Sequence, residues 1–326
     1  MGALLSVEGL VVDIATPRGT LHAVRDVSFR VDRGETLCLV GESGCGKSMT
    51  AFALMGLLPR TATRSARRLL FEDEDLTLAS AERLSHLRGD RMAMIFQEPM
   101  TALNPAYTVG EQLSEVHRRH KGSTRRAARD RAVELLGKIG ITAAAERLGQ
   151  YPHQLSGGLR QRVMIAMALM CGPALLIADE PTTALDVTIQ AQILRLLMDL
   201  QRDLGIAILL ITHDLGVVAR VANRVAVMYA GEIVEAASAA SLFAAPRHPY
   251  TRGLMASIPV PGRTPPGARL GAIPGVVPSL VGDMRGCAFR ERCAHAQALC
   301  GEPIALRAET DHQWRCVLTP LPAEAA

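Results

Sequence analysis

The 326 residues exceed the roughly 150 of one ordinary domain and predict one large domain with an appendage, or two domains. Apolar residues at 48% against 21% charged exclude a disordered chain, and a net charge of +4 is too small to argue for a nucleic-acid partner. Two biases stand out: 33 Arg against 3 Lys, which follows coding composition more readily than function, and seven Cys, four of them in the final 40 residues.

The opening stretch MGALLSVEGLVVDI lacks the basic region and small-residue cleavage site of a signal peptide. The longest apolar run, Val163–Ala178, is broken by Gly172-Pro173 and is too short to span a bilayer. The expectation is a soluble cytosolic chain. Reducing surroundings disfavour structural disulfides, so the late cysteines raise a question of metal binding.

In chain order, the first 35 residues read as short strands, with Val24, Val27, Phe29 and Val31 mostly on the two-residue period of a half-buried sheet. Fully apolar runs at Thr36–Val40, Met92–Phe96, Leu175–Ala178, Ala207–Thr212 and Val225–Tyr229 predict buried strands, with helical stretches between them. That alternation predicts an α/β fold with a largely parallel sheet. Between Gly110 and Met170 the pattern turns helical, as in Ala127–Ile139 behind Ser123 and Thr124, either of which can cap it. After Ala240 the composition shifts to Pro, Gly and Ala, including Pro246, Pro249, Pro259, Pro261, Pro265, Pro266, Pro274 and Pro278, which predicts a linker or a docked extended arm.

Chemistry enters at Gly41-Glu42-Ser43-Gly44-Cys45-Gly46-Lys47-Ser48, which follows a strand and opens an apolar helix. Glycines let the backbone curl so that successive N–H groups point inward, and the helix start adds positive charge for phosphates. Lys47 is then expected to reach the β- and γ-phosphates and Ser48 to ligate Mg²⁺. The strand Leu175–Ala178 ends in Asp179-Glu180. Asp179 is expected to hold Mg²⁺ through water, with Glu180 as the general base on the attacking water. No Asn-Lys-x-Asp motif is present, so guanine reading is not expected. Leu155-Ser156-Gly157-Gly158-Leu159-Arg160-Gln161-Arg162 opens a second helix and makes a second anion-binding helix start. One nucleotide cannot easily use both sites of one subunit, so a head-to-tail pair is expected, each nucleotide lying between one subunit's phosphate loop and the other's Ser-Gly-Gly turn.

With these motifs in order, the sequence resembles the ATP-binding cassette family over residues 4–240. The motifs are Gly41–Ser48, Gln97, Leu155–Leu159, the acidic strand end through Glu180, and His213, with Ala184-Leu185-Asp186 matching the family's D-loop. The resemblance implies that Gln97 links Mg²⁺ and water to the membrane contact, and that His213 contacts the γ-phosphate. It implies a cassette over 1–240 with a mostly parallel sheet, N-terminal antiparallel strands and a helical subdomain near 98–170, then a Cys-rich arm over 241–326.

Ile95-Phe96-Gln97-Glu98-Pro99-Met100 with Leu103-Asn104-Pro105, Arg160–Leu169, Thr188-Ile189-Gln190-Ala191-Gln192 and His248-Pro249-Tyr250-Thr251 narrow the resemblance to the ATPase subunits of oligopeptide/dipeptide importers. That implies a homologous second ATPase subunit, two transmembrane permease subunits and an extracytoplasmic solute-binding protein, with the chain at the cytoplasmic face of the membrane. ATP with Mg²⁺ then glues the cassette dimer, and hydrolysis releases it. A nickel chelate or another small solute, or a non-transport role, stays open at this point. Two positions depart from the family: Ile14 stands where an aromatic usually stacks on adenine, and Leu159 where Gln is common.

Cys287, Cys293, Cys300 and Cys316 are separated by five, six and fifteen residues. Four thiolates suit tetrahedral Zn²⁺, an iron–sulfur cluster or no ligand at all, and these spacings match neither common zinc folds nor ferredoxin runs. Importer ATPases that resemble this Gly-Cys-x-Phe-x-x-Arg-Cys region imply a [4Fe–4S] cluster that staples the arm. Cys38, Cys45 and Cys171 read as small hydrophobes or loop filler. The basic run Arg118, Arg119, Lys121, Arg125, Arg126, Arg129 and Arg131 reads as a solvated helix face.

Overall fold

The computed structural model describes residues 2–98, 102–183, 186–258, 271–282 and 284–318. Pro99-Met100, Ala184-Leu185 and the prolines at 259, 261, 265 and 266 lie outside the described residues. The strands are β1 (Leu5–Thr16), β2 (Gly19–Val31), β3 (Thr36–Val40), β4 (Ala62–Ser65), β5 (Arg68–Phe71), β6 (Glu74–Asp75), β7 (Met92–Ile95), β8 (Leu175–Asp179), β9 (Ala207–Thr212), β10 (Arg224–Tyr229), β11 (Glu232–Ser238), β12 (Arg307–Glu309) and β13 (His312–Trp314). The expected buried strands are present within a residue of their predicted ends, and the result is an α/β fold.

The chain forms two compact units, one of Met1–Leu4, Val31–Glu35 and Leu78–Leu210, the other of Leu5–Arg30, Thr36–Thr77 and Ile211–Ala326. In the first, β7 and β8 run parallel, Met92 opposite Leu175 through Ile95 opposite Ala178. Every residue of both strands is buried, which gives them the continuous apolar reading of a parallel sheet. The helices Val109–Lys121, Arg125–Lys138 and Gly157–Leu169 pack together there around Leu113, Leu135, Leu136 and Ile165. Thr108 and Glu111 form a reciprocal capping box at the first helix. Thr124, rather than Ser123, caps the second by accepting the Ala127 N–H.

In the second unit β1 pairs antiparallel with β4 and β5, and β10 pairs parallel with β3 and antiparallel with β11. The N-terminal strands are long, 12 and 13 residues, not short as the pattern predicts. Gly9 and Asp26 sit inside them at φ 62° and 50°, and these left-handed residues break the alternation a sequence reading follows. The arm is not merely extended: it folds into helices Ala239–Ala244 and Pro249–Ala256 and a hairpin of β12 and β13, with β13 adding to β11 at Glu235 and Ala236.

Candidate active site

β3 delivers five consecutive buried residues to the phosphate loop. A Cβ at Gly41 would stand 2.1 Å from the Met228 carbonyl oxygen, and one at Gly46 2.3 Å from that of Ala23, so β10 and β2 leave room there only for glycine. Gly46, at φ 104°, starts helix Lys47–Met55 with no side-chain cap, the arrangement in which terminal N–H groups serve an anion. Ser43 and Gly44 are exposed and Ser48 half-buried. Lys47 is buried, and its ammonium donates to the carbonyls of Gly41 (2.8 Å) and Glu42 (2.9 Å). The cation thus lies folded against the loop whose phosphates it is expected to meet. Burial pushes the neighbouring Cys45 thiol up, which makes it an inert filler of the turn.

A second group stands at the end of β8. Asp179 is 3% exposed. Glu180 follows with φ 44°, a left-handed backbone that costs a non-glycine residue about 1–2 kcal/mol and is retained where the side chain's direction matters. Its Oε2 accepts from Gln97 Nε2 at 3.1 Å and from the Thr183 hydroxyl at 2.8 Å. The structure therefore brings together Gln97, expected to link Mg²⁺ and water to the membrane contact, and Glu180, expected as base, and adds Thr183, which no motif singled out. Two donors on one oxygen fix the carboxylate's orientation without neutralising it.

Ser156 is exposed and caps helix Gly157–Leu169, accepting the Leu159 N–H at 3.4 Å. Gly158 is held close, since a Cβ there would lie 3.2 Å from Ile189. Asp186 caps Val187–Leu204 through the Ile189 N–H at 3.0 Å. His213 is exposed just after β9, and the carboxylate of the next residue, Asp214, accepts the N–H groups of Gly216 and Val217. Ser156, Asp186 and His213 each occupy the start of a separate helix or turn. Ile14 is half-buried on β1.

Two arm residues that sequence reasoning gave no role reach the phosphate loop. The Tyr250 hydroxyl accepts the Glu42 N–H at 2.9 Å, and Arg292 donates to Glu42 Oε2 at 2.8 Å. Tyr250 had only the His-Pro-Tyr-Thr stretch as a signal; Arg292 had none beyond its place before Cys293.

Cys287 donates its backbone N–H to the Cys300 carbonyl at 2.8 Å. Burial pushes the Cys287 thiol up to about 11, and the charges of Cys300, Cys316 and Cys293 push the same way. Burial likewise raises Cys293 and Cys316. Among the described residues no group of three or more His, Cys, Asp or Glu side chains is placed to hold a metal ion. The arrangement as it stands thus gives no support to a cluster or to zinc. The basic run divides over two helices, where Lys121 pairs with Asp90 at 2.5 Å and Arg131 with Glu134 at 2.8 Å. No described helix is long and apolar enough to cross a membrane.

The family model for ABC transporters matches residues 24–183, and that for the oligopeptide/dipeptide transporter C-terminal region matches 234–300. The chain is 49% identical over 320 residues to the dipeptide transport ATP-binding protein DppD of Bacillus subtilis, spanning 96% of this chain and 95% of that one. It is 48% identical over 318 residues to the oligopeptide transport ATP-binding protein OppD of Salmonella typhimurium, spanning 98% and 94%. Among solved structures, the ADP- and Pi-bound dimer of the ATP-binding cassette MJ0796 superposes with a TM-score of 0.64 at 25% identity, covering 72% of this chain and 98% of that one.

Proposed function

Because the chain belongs to the ATP-binding cassette transporter family, we propose that it is the ATP-hydrolysing subunit that powers import of di- and oligopeptides through partner transmembrane subunits. The observation that carries the reading is the pairing of a phosphate loop before helix Lys47–Met55 with relatives similar over 96% of the chain, through the arm.

On this reading the N–H groups of the Gly41–Ser48 loop other than that of Glu42 take the phosphates of ATP, and Lys47 exchanges its loop carbonyls for the β- and γ-phosphate oxygens. Ser48 and Gln97, with Asp179 through water, would hold Mg²⁺, which would screen the phosphate charge; hydroxyl, amide, water and carboxylate supply the hard oxygen that cation takes. Glu180 Oε2, fixed by Gln97 and Thr183, aims the carboxylate that accepts the proton of the attacking water. His213 meets the γ-phosphate. Ser156, Gly157, Gly158 and Asp186 complete the site of a second cassette, which we take to be a homologous partner. Two permease subunits and an extracytoplasmic binding protein complete the importer, with this chain at the cytoplasmic face.

Cys287, Cys293, Cys300 and Cys316 are proposed as ligands of a [4Fe–4S] cluster, with Zn²⁺ the alternative. The reading rests on the chemistry of the donors, four soft thiols within one arm, and not on their present arrangement. Anaerobically purified protein is expected to carry iron and sulfide and absorb near 400 nm; stoichiometric zinc without iron selects the alternative.

The import reading is tested with the assembled complex in proteoliposomes, by asking which solute-loaded binding protein stimulates its ATPase. Stimulation by a peptide-loaded protein is expected. Stimulation only by a metal-chelate-loaded protein, or by DNA or ribosomes, overturns it.

A further inference from the structure

Glu42 puts a carboxylate inside a loop expected to receive the triphosphate. Where that carboxylate sits, and what balances it, bears directly on phosphate affinity. Its Oε2 is paired with Arg292 at 2.8 Å, while Oε1 is buried without a hydrogen-bond partner. The Arg292 side chain is only 6% exposed. Its other donors are fixed to the carbonyls of Pro274 (2.7 Å) and Ile273 (3.3 Å) and to the Tyr229 hydroxyl (3.4 Å). The guanidinium also lies 5.8 and 5.9 Å from the centroids of Tyr229 and Phe289. It is therefore a pre-organised cation that cannot follow Glu42 elsewhere.

The backbone of Glu42 is held separately. Its N–H is taken by the hydroxyl of Tyr250, which is fully buried and packs on Tyr229 and Phe289 at centroid distances of 4.6 and 5.4 Å. That N–H is thereby withdrawn from the set that can face a phosphate, and the peptide plane after Gly41 is fixed. Tyr250 and Arg292 stand 208 and 250 residues beyond Glu42, in the arm that the cassette motifs do not include.

We infer that Tyr250 and Arg292 are positioning residues of the nucleotide site: the arm grips Glu42 by backbone and carboxylate, turning its charge away from the phosphates and setting the curl of the loop. The inference rests on the ATP-binding reading above and adds residues outside the cassette to it.

The test is MgADP and MgATP affinity of the purified chain by isothermal titration, with melting temperature in parallel. Arg292→Gln is expected to weaken MgATP about tenfold, with MgADP affected less because it carries less charge. The diagnostic step is Glu42→Gln in the Arg292→Gln background. Removing the uncompensated charge is expected to restore most of the lost affinity, which a general loss of packing cannot do. Tyr250→Phe is expected to weaken both nucleotides about threefold with the melting temperature nearly unchanged. Unchanged affinity in Arg292→Gln and Tyr250→Phe overturns the inference while leaving the ATPase reading intact. Weakening that Glu42→Gln fails to rescue assigns Arg292 to packing and overturns its role. A wild-type chain that binds no MgATP overturns the underlying reading and the inference with it. Should Arg292→Gln not fold, Arg292→Met, which keeps the apolar stem and removes the charge, carries the same comparison.

Discussion

Replacing His248 with Asn is expected to blunt the acid sensitivity of the arm. His248 is 1% exposed, at the start of helix Pro249–Ala256, and its Nδ1 accepts the Tyr250 N–H at 3.1 Å. That bond requires the neutral ring with its proton on Nε2, which is buried without a partner. The groups facing it are Phe289, with ring centroids 5.9 Å apart, and the fully buried Glu235. Glu235 itself accepts from the Arg247 and His248 N–H groups and from His312 Nε2. Burial pulls the His248 ring down from 6.5 to about 4, against the opposing pull of Glu235. The folded state thus refuses a proton that the unfolded chain accepts, so this contribution is full above pH 6.5 and lost as pH falls toward 4. The gap amounts to roughly 3 kcal/mol in total and about 2 kcal/mol between pH 7 and pH 5. Urea unfolding read by the single tryptophan, Trp314, which is buried on β13 beside His312, measures it. His248→Asn keeps a capping acceptor and should lose about 2 kcal/mol less than wild type on going from pH 7 to pH 5. Equal losses in the two proteins refute the burial argument.

Three further substitutions test the site. Glu180→Gln should reduce turnover about 10²–10⁴-fold while MgATP still binds, checked by phosphate release and titration calorimetry; wild-type-like hydrolysis removes Glu180 as base. Gly46→Ala forces a Cβ to 2.3 Å from the Ala23 carbonyl at φ 104°, so about 2–3 kcal/mol of stability and most MgATP binding should be lost together. Ser156→Ala removes one cap, costing about 1 kcal/mol by thermal melting. On the proposed head-to-tail pairing, in which Ser156 serves the opposite cassette, the substitution should leave MgATP affinity of the isolated chain alone and lower ATPase in the assembled importer.

What was legible in the sequence was the chemistry written contiguously. Gly41–Ser48 specifies its own turn, because the glycines, the lysine and the preceding apolar strand are neighbours in the chain. Asp179 and Glu180 were legible for the same reason. Thr183 was not, since a threonine three residues on carries no pattern until Glu180 turns left-handed and brings the two oxygens together. The long N-terminal strands were lost to their own irregularities at Gly9 and Asp26. β13 was lost to brevity: His312-Gln313-Trp314 is too short for any periodicity, and its strand character comes from pairing with Glu235 and Ala236. Contacts such as Arg292 with Glu42 depend on the whole intervening fold.

The late pairing of β13 has a consequence for how the chain is made. On the ribosome β11 emerges long before the strand that covers its flank, and the stretch from Ser238 to His312 takes on the order of 4–15 s at about 5–20 residues per second. During that interval β11 is an edge that a second nascent copy can dock on. Glu235, later enclosed by His248, Arg247 and His312, is then an acidic residue in the middle of the exposed strand. A residue of that type within an edge strand disfavours edge-to-edge pairing, which is the protection β11 has until its partners are synthesised.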